Sequence, residues 1–414
     1  MTMDPLKKPA AHRLAISVPL AIYVTLLTAC GGGGGGDEGG GVQNTPPPPP
    51  PPPATTSGVF KDANVAGLAY SSGALSGITN GSGAFECETG STIAFSVGSV
   101  DLGATACATL VMPQALAGTG ALDDVETLNR ARFLLMLDFD GDPDNGIEIS
   151  DAVQQIADSW VQPNFSTADL DTELASIVSD AFSVDQTMHD LPDAATALAH
   201  LEATAACAYG GAFAGRMAGD LTGAFGVVIG FPGIGNAPFA PSSAGWVAFD
   251  GLEEFVAGGG GANSITYAAR PVIDHSGPNL AGPFDGNFDT PDRITGNWES
   301  AGNNVSGTYS VDRIGGDDGT WRFVGDIVGA ELSGVVALAL TGNQIAGEVF
   351  EVFEGITYQV TGSITGDSVT LTATGGAQPI DASGTVVRSG VGEPIALTAN
   401  FSGGSLSAAA CRLN

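Results

Sequence analysis

The sequence has little positive charge. It contains 13 Lys and Arg against 45 Asp and Glu, for a formal net charge of -32 at pH 7. Three of the basic residues precede position 30, which leaves Lys61 as the only lysine after that point. Such an acidic chain repels phosphate backbones and anionic lipid head groups, which argues against nucleic-acid binding and a polybasic membrane patch. Divalent cations, cationic partners or simple solubility account for the acidity.

Aromatic residues and long hydrophobic runs are also scarce. With four Trp and six Tyr, the chain lacks the aromatic girdles of a membrane-spanning barrel. The main apolar run, residues 14–27, follows Lys7, Lys8 and Arg13, is interrupted by Pro19, and is too short to cross a bilayer comfortably. A charged start before a short apolar run is typical of a secretory signal peptide.

The segment Leu27-Thr28-Ala29-Cys30 ends this run. It resembles the lipobox of bacterial lipoproteins, in which the cysteine becomes the first mature residue and carries lipid, including palmitate. The resemblance implies a signal peptide over residues 1–29 and acylation of Cys30. Gly31, where an Asp would favour the inner membrane, implies the outer membrane, facing the periplasm or the cell surface. An ordinary cleavable signal with an incidental cysteine is the alternative.

Composition divides the rest of the chain into three parts. Residues 30–57 form a Gly/Pro-rich tether, in which prolines 46–53 predict a stiff polyproline II rod. Residues 58–206 combine strand-like and helical patterns, whereas residues 207–414 contain short alternating runs without a helical pattern. We therefore predict two folded domains behind a lipidated tether.

Four cysteines besides Cys30 lie in these two domains. An even number of cysteines in an oxidising compartment predicts two disulfides. No Cys-x-x-Cys spacing indicates a metal site, although free thiols remain an alternative. Of the three possible pairings we favour Cys87 with Cys107, which share a small strand region, and Cys207 with Cys411, which bracket the second domain. The second bridge would join the first strand of that domain to its last.

The first domain has the pattern of a small antiparallel β unit followed by helices. Short extended segments separated by turn residues cover residues 65–102. Apolar residues at helical spacing predict helices over residues 124–137, 151–160, 167–182 and 192–206. Ser166 with Asp169 three residues later predicts a capping box for the third helix. We expect His189 and His200 to be surface or boundary residues of this helical segment.

Several motifs of the first domain occur in a familiar order. They are Val65-Ala-Gly-Leu-Ala-Tyr70, Gly77-Ile-Thr-Asn-Gly-Ser-Gly-Ala-Phe85, Gly90-Ser-Thr-Ile-Ala-Phe-Ser-Val-Gly98, Asp101-Leu-Gly103, Asn129-Arg-Ala-Arg132 and Leu137-Asp-Phe-Asp-Gly-Asp-Pro-Asp-Asn-Gly-Ile147. Together they resemble a module that recurs in bacterial surface lipoproteins and adhesin-like proteins. The resemblance covers residues 59–149. It implies residence at the cell surface and brings no catalytic residue.

An acidic loop between the first two predicted helices has the spacing of a calcium site. With Asp140 as the first position of a twelve-residue loop, Asp142 and Asp144 are third and fifth, Gly146 offers its carbonyl at the seventh, and Asp151 is twelfth. Calcium takes about six to eight oxygen ligands, and alternate carboxylates in a tight loop can converge on one ion. We predict a structural calcium site here. A solvated acidic connection is the alternative.

The second domain repeats strand-length runs about every ten residues, joined by turns such as Thr341-Gly-Asn343. This spacing predicts consecutive hairpins. The fold class is therefore α+β: a small antiparallel β unit, a helical segment, and then an all-β antiparallel meander that forms a soluble barrel or sandwich.

The chain shows no catalytic constellation. It has no Gly-x-Ser-x-Gly elbow, and His275 with its neighbours Asp274 and Ser276 is too local to form a triad. We predict a non-catalytic lipoprotein of the outer membrane or cell surface that binds, adheres or supports the envelope through an extracellular or envelope partner. The alternative is a cell-envelope hydrolase that uses paired carboxylates.

Overall fold

β-Strands form most of the described protein, and helices occur in one central segment. The computed structural model describes residues 53–118, 121–230, 243–250, 256–257, 264–266, 272–275, 284–300, 304–316, 319–329, 332–389 and 392–413. The predicted signal peptide, Cys30 and the tether up to residue 52 lie outside the described residues. The predicted α+β class is confirmed.

An N-terminal β unit opens the described chain. Its strands are β1 (Thr55–Phe60), β2 (Val65–Ala66), β3 (Ala69–Ser72), β4 (Leu75–Ile78), β5 (Ala84–Glu88), β6 (Thr92–Val97), β7 (Val100–Ala106), β8 (Leu110–Val111) and β9 (Ile147–Glu148). They form a three-stranded sheet (β5-β1-β8), a four-stranded sheet (β4-β3-β6-β7) and the pair β2-β9. Most neighbours are antiparallel, but β1 with β8 and β2 with β9 run parallel.

The helical segment follows. Its helices are α1 (Pro113–Ala117), α2 (Val125–Met136), α3 (Asp151–Ala157), α4 (Leu170–Asp185) and α5 (Ala194–Tyr209). Each of the helices α2 to α5 is preceded by a residue whose side-chain oxygen accepts a hydrogen bond from a backbone N–H group of the first turn. These residues are Asp124, Ser150, Asp169 and Asp193. The predicted capping box is wrong, because Asp169 itself is the N-cap of α4. No helix in the described part of the chain has the length and hydrophobicity to cross a membrane.

A nine-stranded antiparallel sheet follows the helical segment, where the count covers the described strands. They are β10 (Gly211–Gly219), β11 (Gly223–Ile229), β12 (Ser243–Phe249), β13 (Val256–Ala257), β14 (Ser264–Thr266), β15 (Val272–His275), β16 (Phe284–Thr290), β17 (Arg293–Ser300) and β18 (Val305–Arg313). Their order is β13-β12-β11-β10-β18-β17-β16-β15-β14. The chain thus adds hairpins on one side of β10 and returns through β18 on the other side.

The last strands close an eight-stranded barrel. They are β19 (Trp321–Gly329), β20 (Gly334–Thr341), β21 (Gln344–Glu351), β22 (Ile356–Thr365), β23 (Ser368–Thr374), β24 (Ile380–Arg388), β25 (Pro394–Phe401) and β26 (Gly404–Arg412). Each strand pairs with the next, and β26 pairs with β19 to complete the ring. Gly342, Gly355 and Gly366 have positive φ in three of the hairpins, which confirms the predicted turns.

Two cores bury opposite faces of the nine-stranded sheet. On one face, Phe213, Phe225 and Tyr309 cluster with Leu201 and Tyr209 of α5. The other face rests against the outside of the barrel in a second cluster, formed by Ala224, Val228, Trp246, Val335, Ala337 and Phe350. This packing explains why β11 and β20 are continuous apolar runs, because both of their faces are buried.

Candidate functional site

The four described cysteines form two disulfides. Cys87 pairs with Cys107 at a Cα separation of 5.8 Å, and Cys207 pairs with Cys411 at 5.7 Å. Both favoured pairings are confirmed. Cys207 lies on α5, however, so the long-range bridge ties the helical segment to β26 and does not join two strands. The expected strand-to-strand staple is wrong because α5 continues through Tyr209, so Cys207 is helical and precedes the first strand of the second half.

The acidic loop uses its carboxylates to hold its own backbone. Asp140 Oδ1 accepts the N–H of Asp142 at 3.0 Å, and its Oδ2 accepts the amide of Asn145 at 2.9 Å. Asp142 Oδ1 accepts the N–H of Asp144 at 3.2 Å, at the start of a 3-10 turn. These contacts are the local side-chain-to-backbone bonds typical of Asp and Asn in turns.

The remaining predicted calcium ligands lie further along the loop. Gly146 has a φ of 109°, which a glycine adopts without strain, and Asp151 is the first residue of α3. No group of three or more His, Cys, Asp or Glu side chains in the described residues is arranged to hold a metal ion. The predicted ligand set therefore fits calcium only after its carboxylates turn away from the loop backbone.

Asp138 is a buried carboxyl in this loop that the predicted ligand set left out. It is 2% exposed; its Oδ1 accepts the N–H of Glu148 at 2.9 Å, and its Oδ2 has no hydrogen-bond partner. Burial raises the pKa of Asp138 to about 6 against the opposing hydrogen bond from Glu148, and the charges of Asp140 and Asp142 add to the increase. Its position directly before the loop carboxylates is the sequence signal that was missed.

A cavity lies where the N-terminal β unit, α5, the nine-stranded sheet and the barrel meet, and we call it the junction cavity. Its volume is about 650 Å³. The end of β1 contributes Val59 and the following Lys61, α5 contributes His200, and the barrel contributes Arg322 and Arg412. The disulfide between Cys207 and Cys411 also lines this cavity. No sequence pattern marks the cavity, because its residues are up to several hundred positions apart.

Lys61 is the most unusual group in the junction cavity. Its Nζ donates to the carbonyl oxygen of Leu413 at 2.7 Å, and it forms no ion pair with any described residue. Burial lowers the pKa of Lys61 to about 8, and the positive charge of Arg322 contributes to the decrease. The only lysine after position 30 is therefore a largely buried cation that pairs with no carboxylate in the described part of the chain.

The arginines of the junction cavity have partners of their own. The guanidinium of Arg322 is buried and donates to the backbone carbonyls of Gly316, Cys207 and Gly210. Arg412 forms an ion pair with Glu393 at 3.2 Å and lies over the ring of Trp321. Positive charge is thus concentrated at one place in a strongly acidic protein.

Two histidines are paired with buried aspartates. His200 Nε2 lies 3.1 Å from Asp62 Oδ1, and Asp62 is completely buried. Burial alone would lower the pKa of His200, but the hydrogen bond and the charge of Asp62 outweigh it and raise the pKa.

His189 Nε2 lies 3.2 Å from Asp185, and its Nδ1 contacts the carbonyl oxygen of Met136 at 2.8 Å. The expected surface or boundary position is therefore wrong for His189, which is 4% exposed, whereas His200 is partly exposed and lies at the boundary. Asp185 is the last residue of α4 and His189 follows it by four residues, which is a local signal, whereas nothing in the sequence links Asp62 to His200.

Neither a search of protein-family models nor a search of curated proteins finds a match to this chain.

Proposed function

We propose that the protein is a lipoprotein of the bacterial envelope, anchored at the outer membrane through acylated Cys30, that binds a partner without catalysing a reaction. The observation that carries the proposal is the pairing of the cysteines. Two disulfides account for every cysteine of the sequence except Cys30. Disulfides persist in oxidising compartments, and Cys30 ends the segment that resembles a lipobox.

The groups of the junction cavity support binding over catalysis. Cys207 and Cys411 are oxidised, so neither offers a thiolate nucleophile. His200 Nε2 lies 3.1 Å from the buried carboxylate of Asp62, so this nitrogen is already engaged within the protein. Concave sites with a few charged groups are typical of ligand binding. The resemblance of residues 59–149 to surface lipoproteins and adhesin-like proteins supports an extracellular or envelope partner.

Membrane fractionation and protease shaving of intact cells test this proposal. We expect the wild-type protein in the outer-membrane fraction, a Cys30→Ser variant in the soluble fraction, and loss of the wild-type protein when proteinase K is added to intact cells. A periplasmic marker serves as the integrity control. Equal fractionation of both forms would contradict anchoring, and turnover of a glycan or ester panel would contradict a non-catalytic role.

We also propose that the acidic loop binds calcium as a structural ion. The unpartnered Oδ2 of Asp138, beside the carboxylates that follow it, supports this proposal because a divalent cation would supply the missing partner. Thermal unfolding with calcium, with magnesium as the matched control, is the test. We expect calcium to raise the melting temperature of the wild-type protein and to have no effect on a double Asp140→Asn, Asp142→Asn variant. The same increase in both proteins would contradict the site.

A further inference from the structure

Positive charge after position 30 is rare, and the junction cavity holds an unusual share of it. Of 13 Lys and Arg, three precede position 30, so ten remain. Three of these ten, Lys61, Arg322 and Arg412, line the junction cavity together with His200. Their concentration around one concavity points to a negatively charged occupant.

Lys61 has no counterion among the residues that the structure describes, although most of its side chain is withdrawn from solvent. Its one hydrogen-bond partner is a neutral carbonyl, and the charge of Arg322 nearby repels it. Buried charges in proteins are normally paired, because an unpaired charge loses its hydration without compensation. Burial and Arg322 together lower the pKa of Lys61 to about 8, so the group is still mostly protonated at neutral pH.

The acidic groups that line the junction cavity are engaged elsewhere or exposed. Asp292 forms an ion pair with Arg313 at 2.9 Å. Asp144 is exposed, and its charge contributes to the raised pKa of His200. The carboxylate of Asp62 is directed to His200. None of these groups pairs with Lys61, so no carboxylate among the described residues neutralises its charge.

The remaining lining residues indicate which kind of ligand fits the junction cavity. It is largely apolar and made of small side chains: Val59, Leu110, Ala203, Ala206, Ala208, Ala410 and Leu413. A volume of about 650 Å³ falls within the range of small-molecule sites, which is roughly 300–1,000 Å³. We propose that the junction cavity binds a small organic oxyanion, a carboxylate or a phosphate ester with an apolar body, whose charged group lies against Lys61 Nζ.

This assignment deepens the proposed binding function and rests on it, but it is independent of the lipid anchor. Isothermal titration of the full acylated protein in detergent tests it, with benzoate, phenyl phosphate and the neutral isostere benzamide as probes. We expect benzoate or phenyl phosphate to bind at least tenfold more tightly than benzamide. Preference between the two anions separates a carboxylate ligand from a phosphate ligand.

Substitutions at Lys61 and Arg388 test which residue binds the charged group of the ligand. Lys61→Met should weaken binding of the preferred anion at least tenfold, whereas Arg388→Met, which removes an equal charge from the barrel surface beside Asp367, should leave it unchanged. Lys61→Arg should retain binding. Because the pKa of Lys61 is about 8, affinity should also fall about tenfold between pH 7 and pH 9. Circular dichroism confirms that each variant is folded.

Equal affinity for benzoate and benzamide, equal loss in both methionine variants, or no binding of either anion would overturn the assignment. Membrane fractionation of the cells from which the protein is purified distinguishes failure of the anion site from failure of the anchoring proposal. A protein that fractionates with the outer membrane but binds neither anion retains the anchor and refutes the anion site.

Discussion

Replacing Lys61 with Met should stabilise the protein at neutral pH. A pKa change of one unit corresponds to about 1.4 kcal/mol, so lowering the pKa of Lys61 from 10.5 to about 8 reflects a penalty of about 3 kcal/mol for keeping this charge in the fold. Methionine has a similar length and no charge. It loses the bond to Leu413 O, worth about 1.5–3 kcal/mol, which offsets at least half of the gain and leaves a net stabilisation of at most about 1.5 kcal/mol.

The pH dependence of this effect has a definite sign. A lysine whose pKa is depressed in the fold destabilises the protein while it is protonated, and the penalty disappears as the pH rises from about 8 toward 10.5. The wild-type protein should therefore gain stability relative to Lys61→Met as the pH rises. Linkage predicts a relative gain of about 2 kcal/mol between pH 7 and about 9.5.

Urea unfolding followed by tryptophan fluorescence at several pH values measures this difference. Arg388→Met is the matched control, because arginine does not titrate in this range. We expect a constant difference between Arg388→Met and the wild-type protein. If the difference between Lys61→Met and the wild-type protein is also constant, or changes in the opposite direction, Lys61 is not a buried cation without a counterion.

Three further predictions follow from other parts of the structure. Asp62 raises the pKa of His200 against the lowering effect of burial, so this stabilisation is complete below pH 6.5 and is lost as the pH rises through the raised value. A His200→Gln variant should lose that dependence in thermal scans from pH 6 to 8, and an unchanged slope would contradict it. Converting Cys207 and Cys411 to Ala should destabilise the protein by about 5 kcal/mol in urea, because the bridge closes a 204-residue separation; an unchanged midpoint would contradict this. Gly325→Ala should cost about 1–3 kcal/mol in the same assay, since the added methyl collides with a backbone carbonyl of β26, and a neutral result would show that the barrel relaxes there.

Local patterns predicted the individual elements well. Helices α2 to α5 appear within a few residues of their predicted limits, because apolar spacing and capping residues are local properties. The hairpins around Gly342 and Gly366 follow from turn residues that permit positive φ. Cys87 and Cys107 lie close in sequence, and their pairing was accessible for the same reason.

The long-range arrangement of the strands and of the junction cavity could not be predicted from the sequence to the same degree. A uniform series of hairpins cannot reveal that β18 returns to pair with β10 and that a new barrel starts at β19. The junction cavity combines Lys61 with Arg322 and Arg412, which only the tertiary fold brings together. His200 looks like an ordinary polar residue on an exposed helix until the burial of Asp62 is known.

Mass spectrometry of the N-terminal peptide from protein extracted from membranes decides whether Cys30 carries the lipid anchor. The account predicts a mature chain that begins at Cys30 and carries a diacylglycerol group on the sulfur. An N terminus without lipid, or a chain that begins at another residue, would contradict it.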